Sequence, residues 1–329
     1  MTAGIHGDQQ LATRLGELLG PRHPVVAAAV VTPEGMHVAS RGTDLDADFE
    51  IGSIAKAVTG LLYADALTRG EIAPDTSLGE LLPLGDVPAA RVTLRSLSTH
   101  RSGLPRVPKS AGPLRRTIAL WRHGTNPYGE DLEQFLDQTR DVPLGTPRPR
   151  YSNLGFELLG HALARAATTT YPELVHQRIA TPLELDCFYV PGTADDLRPG
   201  ALNGRSRRGR PRQPWTGEGL GPAGGIRASI TSMARFTAAV LDGSAPGIAA
   251  LDPIAPFGAG AHIGAAWITI QVKGRPITWH NGGTGGFRSW LGLDRSARTG
   301  VAILSATAAS VDRHGFTLLA EHSCSSRRS

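Results

Sequence analysis

Apolar and polar positions change their spacing along this chain, and the changes mark out its elements. Residues 25–32, Val-Val-Ala-Ala-Ala-Val-Val-Thr, form a continuous β-compatible run, and Met36 to Ser40 follows after Pro33-Glu34-Gly35. This pattern predicts two strands joined by a tight turn. Next, Ile51, Ile54, Ala55, Val58, Leu61 and Leu62 describe a helix apolar on most sides, running to Arg69 with Gly70 as its stop. From Ala73 to about Pro222, prolines and glycines separate short helical segments: Leu94 to Thr99, Asp131 to Thr139, Leu154 to Ala167 and Tyr171 to Ala180. Ser229 to Leu241 predicts a further helix. After it come β-forming runs at Ile263 to Val272, Pro276 to His280, Trp290 to Leu293 and Val301 to Ser305.

Strands at both chain ends around a helical middle imply an α+β fold, with one antiparallel sheet assembled from both termini and flanked by helices. The expected organisation is a sheet-containing lobe of residues 1–70 and 223–329, and an inserted, mostly helical lobe of residues 71–222. A site is expected in the cleft between them.

Composition narrows the function classes. The chain has 329 residues, 40% of them hydrophobic and 19% charged, which suits a globular protein with a substantial core. Its formal charge of +5 comes with arginines spread along the chain, apart from a knot at Arg205-Ser206-Arg207-Arg208-Gly209-Arg210-Pro211-Arg212. That knot reads first as an exposed loop solvated by its own charges, and second as an attractor of anions. No nucleic-acid fold signature accompanies it. The two cysteines, Cys187 and Cys324, lack metal-ligand spacing and are expected to be reduced thiols. Met1 to Gly20 lacks the apolar stretch of a secretory signal, and no segment has the length and apolarity of a membrane span. The expectation is a cytoplasmic protein with neither nucleic acid nor membrane as partner.

Within the first long helix, Ser53 and Lys56 stand at i and i+3, so the lysine amine can lie beside the serine hydroxyl and accept its proton. With 20 serines and three lysines, about 0.2 such pairs arise by composition alone, so the pair needs support from its setting. Lys56 falls inside the apolar run, and burial favours the neutral, proton-accepting form of an amine. Two further segments place polar residues where the backbone turns. In Arg150-Tyr151-Ser152-Asn153-Leu154-Gly155, Asn153 is expected to cap a helix while Tyr151 projects from the loop before it. In His280-Asn281-Gly282-Gly283-Thr284-Gly285-Gly286-Phe287, glycines end one strand, where they serve a turn or let a ligand approach the backbone.

Taken in order, Ser-x-x-Lys, Tyr-x-Asn and His-x-Gly resemble the signature elements of the serine β-lactamase and penicillin-binding-protein superfamily. The chain is most similar to the class C β-lactamase-like branch, with its family VIII carboxylesterases and D-aminopeptidases. Leu97 to Pro105 and Pro222 to Ser229 look like connecting segments of the same families. The resemblance implies that Ser53 is a nucleophile forming an acyl-enzyme, Lys56 its proton acceptor and Tyr151 a phenol that relays protons. It implies that Asn153 positions Lys56 and the substrate amide, and that the backbone N–H groups of Ser53 and Gly283 form an oxyanion hole. It implies no metal and no organic cofactor.

One departure bears on substrate. Where many relatives have Lys-Thr-Gly, this chain has His280-Asn281-Gly282, which replaces a fixed positive charge by a mostly neutral imidazole. Arg288 is a candidate replacement for that charge, with a surface role as its alternative. Trp121, Tyr128 and Trp215 are candidates to line an acyl pocket, with loop packing as the alternative. His100 is expected to tie down the loop after its helix. The expected function is a serine esterase or amidase acting on a small-molecule ester, amide or lactam. Alternatives are a transacylase with an amine or alcohol acceptor, a β-lactamase or D-amino acid peptidase, and an inactive binder or sensor.

Overall fold

A computed structural model describes residues 4–108 and 112–325 of the chain, with side chains up to Ser323. The reduced thiol expected at Cys187 is present and is buried, while the Cys324 side chain lies outside the described residues.

Nine strands form one antiparallel sheet, in the spatial order Ile5–Gly7, Gly35–Arg41, Val26–Thr32, Thr299–Ser305, Arg288–Asp294, Arg275–Gly283, Ile268–Val272, Ala261–Ile263 and Ala255–Gly258. The two chain ends meet inside it, where Ala28 stands opposite Ile303. Both faces are covered, which is why residues 25–32 read as a continuous apolar run rather than an alternating one. Val26, Ala28 and Val30 pack with Leu15, Trp290 and Leu318 beneath the Gln9–Leu19 and Asp312–Ser325 helices. Ala27 and Ala29 face the opposite way, into the core that holds the Ile54–Thr68 and Ile230–Asp242 helices. That second core also takes in Leu154, Leu158, Tyr171 and Val175 from the middle of the chain.

The Ile54–Thr68 helix is buried along almost its whole length, and this accounts for its all-round apolar sequence. Gly70 follows in the left-handed conformation, φ +69°, as the stop residue its position requires. The run Ile263 to Val272, expected as one strand, is two: Ala266 adopts φ +68° and the Gly264 amide bonds back to the Trp267 carbonyl, which reverses the chain. Tyr171 to Ala180, expected as one α-helix, keeps α geometry only over Tyr171–Val175 and widens to a π turn over His176–Ala180.

A second sheet of three short strands places Arg227–Ala228 between Phe49–Glu50 and Phe188–Tyr189. At its centre the fully buried Arg227 guanidinium donates twice to the Asp48 carboxylate, at 3.0 Å each, and once each to the Asp48 carbonyl and to Glu50, at 3.2 Å. Burial alone would push Asp48 up, yet the Arg227 hydrogen bonds and charge hold its carboxyl below the usual range. Glu50 behaves the other way, since burial outweighs Arg227 and raises it. Asp48 also accepts from the Leu202 amide, and Glu50 from the Trp215 amide at 2.9 Å. This cluster thus fastens the strand leading into Ser53 to two loops from the middle of the chain. Arg227→Ala leaves both acids buried without their counter-charge, and urea denaturation is expected to show a loss of about 3–5 kcal/mol.

Candidate active site

Ser53 sits at the N-terminus of the Ile54–Thr68 helix, immediately after Gly52, whose φ of +52° turns the strand Phe49–Glu50 into that helix. One turn on, the fully buried Lys56 Nζ lies 3.2 Å from Ser53 Oγ and donates to the Ala223 carbonyl at 2.5 Å. Ala223 belongs to the Gly221–Gly224 turn, packed against the same helix. The pair expected from spacing alone is therefore formed, and a main-chain carbonyl aims its amine.

The end of the Arg275–Gly283 strand closes on Ser53 from the other side. A Cβ on Gly282 would fall 1.9 Å from the Ile51 carbonyl oxygen, and one on Gly52 would fall 2.5 Å from the Gly283 nitrogen. Both glycines are required by this backbone-to-backbone approach. Ser289 Oγ donates to the Ile51 carbonyl at 2.6 Å and holds the two segments together. Among the described residues the Ser53 amide has no hydrogen-bond partner, and Ser53 and Gly283 line one cavity. An anionic oxygen can be received there by main-chain N–H groups.

That cavity holds about 360 Å³. Its walls include Tyr128, Phe135, Trp215, Leu120 and Leu220, with Asn153, Glu157 and Ala223 near Ser53. Tyr128 and Trp215 stack edge to face, their centroids 5.0 Å apart. Trp121, the third aromatic candidate, is 73% exposed and turned away.

Tyr151 stands beside Lys56, but with its ring: the amine lies over the ring face, 4.9 Å from the centroid, and among the described residues the phenol oxygen makes no hydrogen bond. His100 packs on the same ring at 4.6 Å and accepts the Ser152 amide on Nδ1, so it fastens the loop before the Asn153 helix, where the expectation was the loop after its own helix. The helix that follows is capped by Ser152, not Asn153: Ser152 Oγ accepts the Gly155 amide, because its position one residue earlier has the extended backbone a cap needs. Asn153 is thereby free to face the cavity, where its amide donates to Tyr128 Oη at 3.3 Å and its Oδ1 has no partner. It makes no hydrogen bond to Lys56.

His280 is buried on the strand before Gly282, its Nδ1 2.7 Å from the Asn281 carbonyl and its Nε2 unpartnered. Burial, and then the Lys56 charge, push its pKa down to about 4, so the ring is neutral at physiological pH. Burial depresses His100 in the same way. Arg288 is half-buried and does not line the cavity. Its guanidinium folds back over Gly283 and donates to the Thr284 and Phe287 carbonyls at 2.8 Å each. Among the described residues no cluster of His, Cys, Asp and Glu has the makings of a metal site.

Two functional groups escaped the sequence reading. The Ala223 carbonyl could not be found, because its role belongs to the main chain. Glu157 carried a signal: it is the one acid in the otherwise apolar first half of the Asn153–Ala166 helix, one turn after Asn153. It is buried, its Oε1 is unpartnered, and burial raises its pKa to about 8 against the opposing pull of Lys56.

The beta-lactamase family model matches residues 11–322. The chain belongs to the beta-lactamase family. Its fold is the class C β-lactamase fold: a class C enzyme from Rhodobacter sphaeroides superposes with a TM-score of 0.75 at 19% identity, covering 92% of this chain and 95% of that one. D-alanine carboxypeptidase AmpC from Burkholderia cenocepacia gives 0.71 at 22% identity, over 91% and 94%. Among curated family members, the D-alanyl-D-alanine-carboxypeptidase/endopeptidase AmpH of Escherichia coli K12 is 31% identical over 45% of this chain and 38% of its own length. Penicillin-binding protein 4 of Amycolatopsis lactamdurans is 28% identical over 82% and 71%, and esterase EstB of Burkholderia gladioli 28% over 55% and 52%. The match thus spans well under half of AmpH. Serine hydrolases of the β-lactamase and penicillin-binding-protein type are the superfamily to which the family belongs.

Two substitutions test this geometry. Gly52→Ala imposes left-handed strain of about 1–3 kcal/mol and drives a methyl group into the Gly283 amide; loss of Ser53 reactivity toward a fluorophosphonate, with the fold retained by circular dichroism, is expected. Glu157 is neutral when folded and ionised when unfolded between its unfolded pKa and about 8, so stability falls as pH rises through that window. Thermal melts from pH 5 to 8 are expected to decline more steeply for the wild type than for Glu157→Gln.

Proposed function

We propose that the protein is a serine esterase or amidase, which forms an acyl-enzyme on Ser53 from a neutral small-molecule ester or amide. The observation that carries this reading is the buried Lys56 amine 3.2 Å behind a serine hydroxyl that opens on the cavity. In the acylation step Lys56 takes the Ser53 proton, and Oγ attacks the substrate carbonyl carbon. The negative oxygen is held by the amides of Ser53 and Gly283. The carbonyl re-forms as the bond to the leaving group breaks, and the proton passes to the departing alcohol or amine. Water then attacks the acyl-enzyme by the same sequence in reverse. Tyr151, which packs its ring on Lys56, is the phenol assigned to proton relay in this reading.

The substrate class follows from the walls. A neutral His280 and an Arg288 that does not line the cavity and turns its Nη1 back onto two carbonyls offer little to a substrate carboxylate, while Tyr128, Phe135 and Trp215 suit a bulky apolar group. Among relatives, the esterase fits this better than the carboxypeptidases. Incubation with p-nitrophenyl esters is expected to give a burst of nitrophenol and, on acid quenching, a mass increase equal to the acyl group on Ser53. Ser53→Ala is expected to retain its melting temperature and lose both. Absence of any Ser53 adduct from esters, anilides and β-lactams alike would overturn the proposal. Added amines or alcohols in the same assay report whether the acyl group passes to them instead of water.

A further inference from the structure

The Pro113–His123 helix uses two faces. Pro113, Arg116, Thr117 and Leu120 point inward and line the catalytic cavity. Leu114, Ile118 and Trp121, spaced as one helical stripe, point outward and are 74%, 46% and 73% exposed. Arg115 and Arg122 flank this stripe, and both are exposed. Exposed apolar residues of this size, aligned over an active site, are unusual on a protein surface and mark an interaction.

The arginine knot lies against the same helix. Residues 205–211 form a small hairpin closed by an Arg205–Pro211 bridge, with Arg205, Arg207, Arg208 and Arg210 exposed. Its returning arm is fastened to the helix, since Arg212 donates to the Leu120 carbonyl at 2.6 Å and the Gln213 amide to the Gly124 carbonyl at 2.8 Å. Its outgoing arm is held by the Gly286 carbonyl, next to the Gly283 strand end. Residues 112–129 and 197–217 together contain nine arginines and no acid. Of these nine, Arg116 alone takes part in an ion pair with a described residue.

We propose that the outer face of the Pro113–His123 helix and the Arg205–Arg212 hairpin form one docking face for an anionic lipid surface. Leu114, Ile118 and Trp121 enter the boundary between headgroups and acyl chains, and the arginines meet lipid phosphates. Apolar side chains on one helical face beside unpaired cations are what such a boundary takes up. Leu114, Ile118 and Trp121 are all exposed, as entry into a lipid boundary requires; a nucleic acid would engage the arginines and leave Leu114 and Ile118 in water. No described helix is long and apolar enough to cross a membrane, so the contact is peripheral. This proposal departs from the sequence-based expectation of no membrane partner.

The test is vesicle flotation with phosphatidylcholine alone and with phosphatidylglycerol added. The wild type is expected to float with the anionic vesicles only, and to be released by high salt. Arg207→Gln with Arg208→Gln should weaken partitioning about twenty-fivefold, each cation contributing about fivefold. Leu114→Gln with Ile118→Gln and Trp121→Gln should weaken it at least tenfold. Both variants should keep wild-type turnover of a soluble ester and an unchanged melting temperature. No flotation with either vesicle, or flotation unaffected by both variants, overturns the proposal. So does self-association by sedimentation that the triple variant abolishes, which would assign the face to a second copy. Binding of an oligonucleotide that ignores the triple variant would assign it to nucleic acid.

Discussion

Two backbones pass each other at the heart of this protein with no room for a side chain between them. Ile51–Gly52 and Gly282–Gly283 approach so closely that a single methyl group would push them apart, and the rest of the catalytic architecture is arranged to keep them there. Ser289 bridges them from the sheet, the Arg227 cluster anchors the strand before Gly52, and the helix after Ser53 is buried among apolar neighbours. The sheet thus serves as a reference surface. It delivers Gly283 to Ser53, while the helix delivers Lys56 from behind.

Buried titratable groups are handled in two ways in this fold. Away from the cavity, Asp48 and Arg227 keep their charges and are matched to each other by a bidentate contact. Around Ser53, His100, His280 and Glu157 are instead pushed toward neutrality by burial. The second arrangement leaves the neighbourhood of Lys56 poor in fixed countercharge, so little competes with Ser53 and the Ala223 carbonyl for its amine. The neutral His280 fits the same electrostatic arrangement.

Much of this was legible in the chain, for reasons that can be named. The Ser53 helix announced itself because burial on all sides demands an apolar sequence, and Gly70 because a left-handed stop demands glycine. The sheet strands were visible as β-forming runs, since residues facing two cores must be apolar throughout. What stayed hidden depends on tertiary context. Strands of two residues such as Phe49–Glu50 and Arg227–Ala228 are too short for periodicity. The reversal between Ile263 and Ile268 has Gly264 as its one turn-forming residue, and it places the left-handed conformation on Ala266, where the sequence shows no reason for it. Ser152 and Asn153 are both competent caps, and only the backbone decides between them. Helix Asp312–Ser325, with Gly315 tight against Trp290, covers the sheet although its sequence shows little sidedness.

The site draws on four stretches of chain, around residues 53, 153, 223 and 283, that share no local structure. In an unfinished or clipped chain Ser53 therefore lacks the neighbours that surround it in the fold. Gly283 reaches it only when the strands from the end of the chain have joined the sheet. The cavity around Ser53 is accordingly a property of the completed fold and of no shorter piece of it.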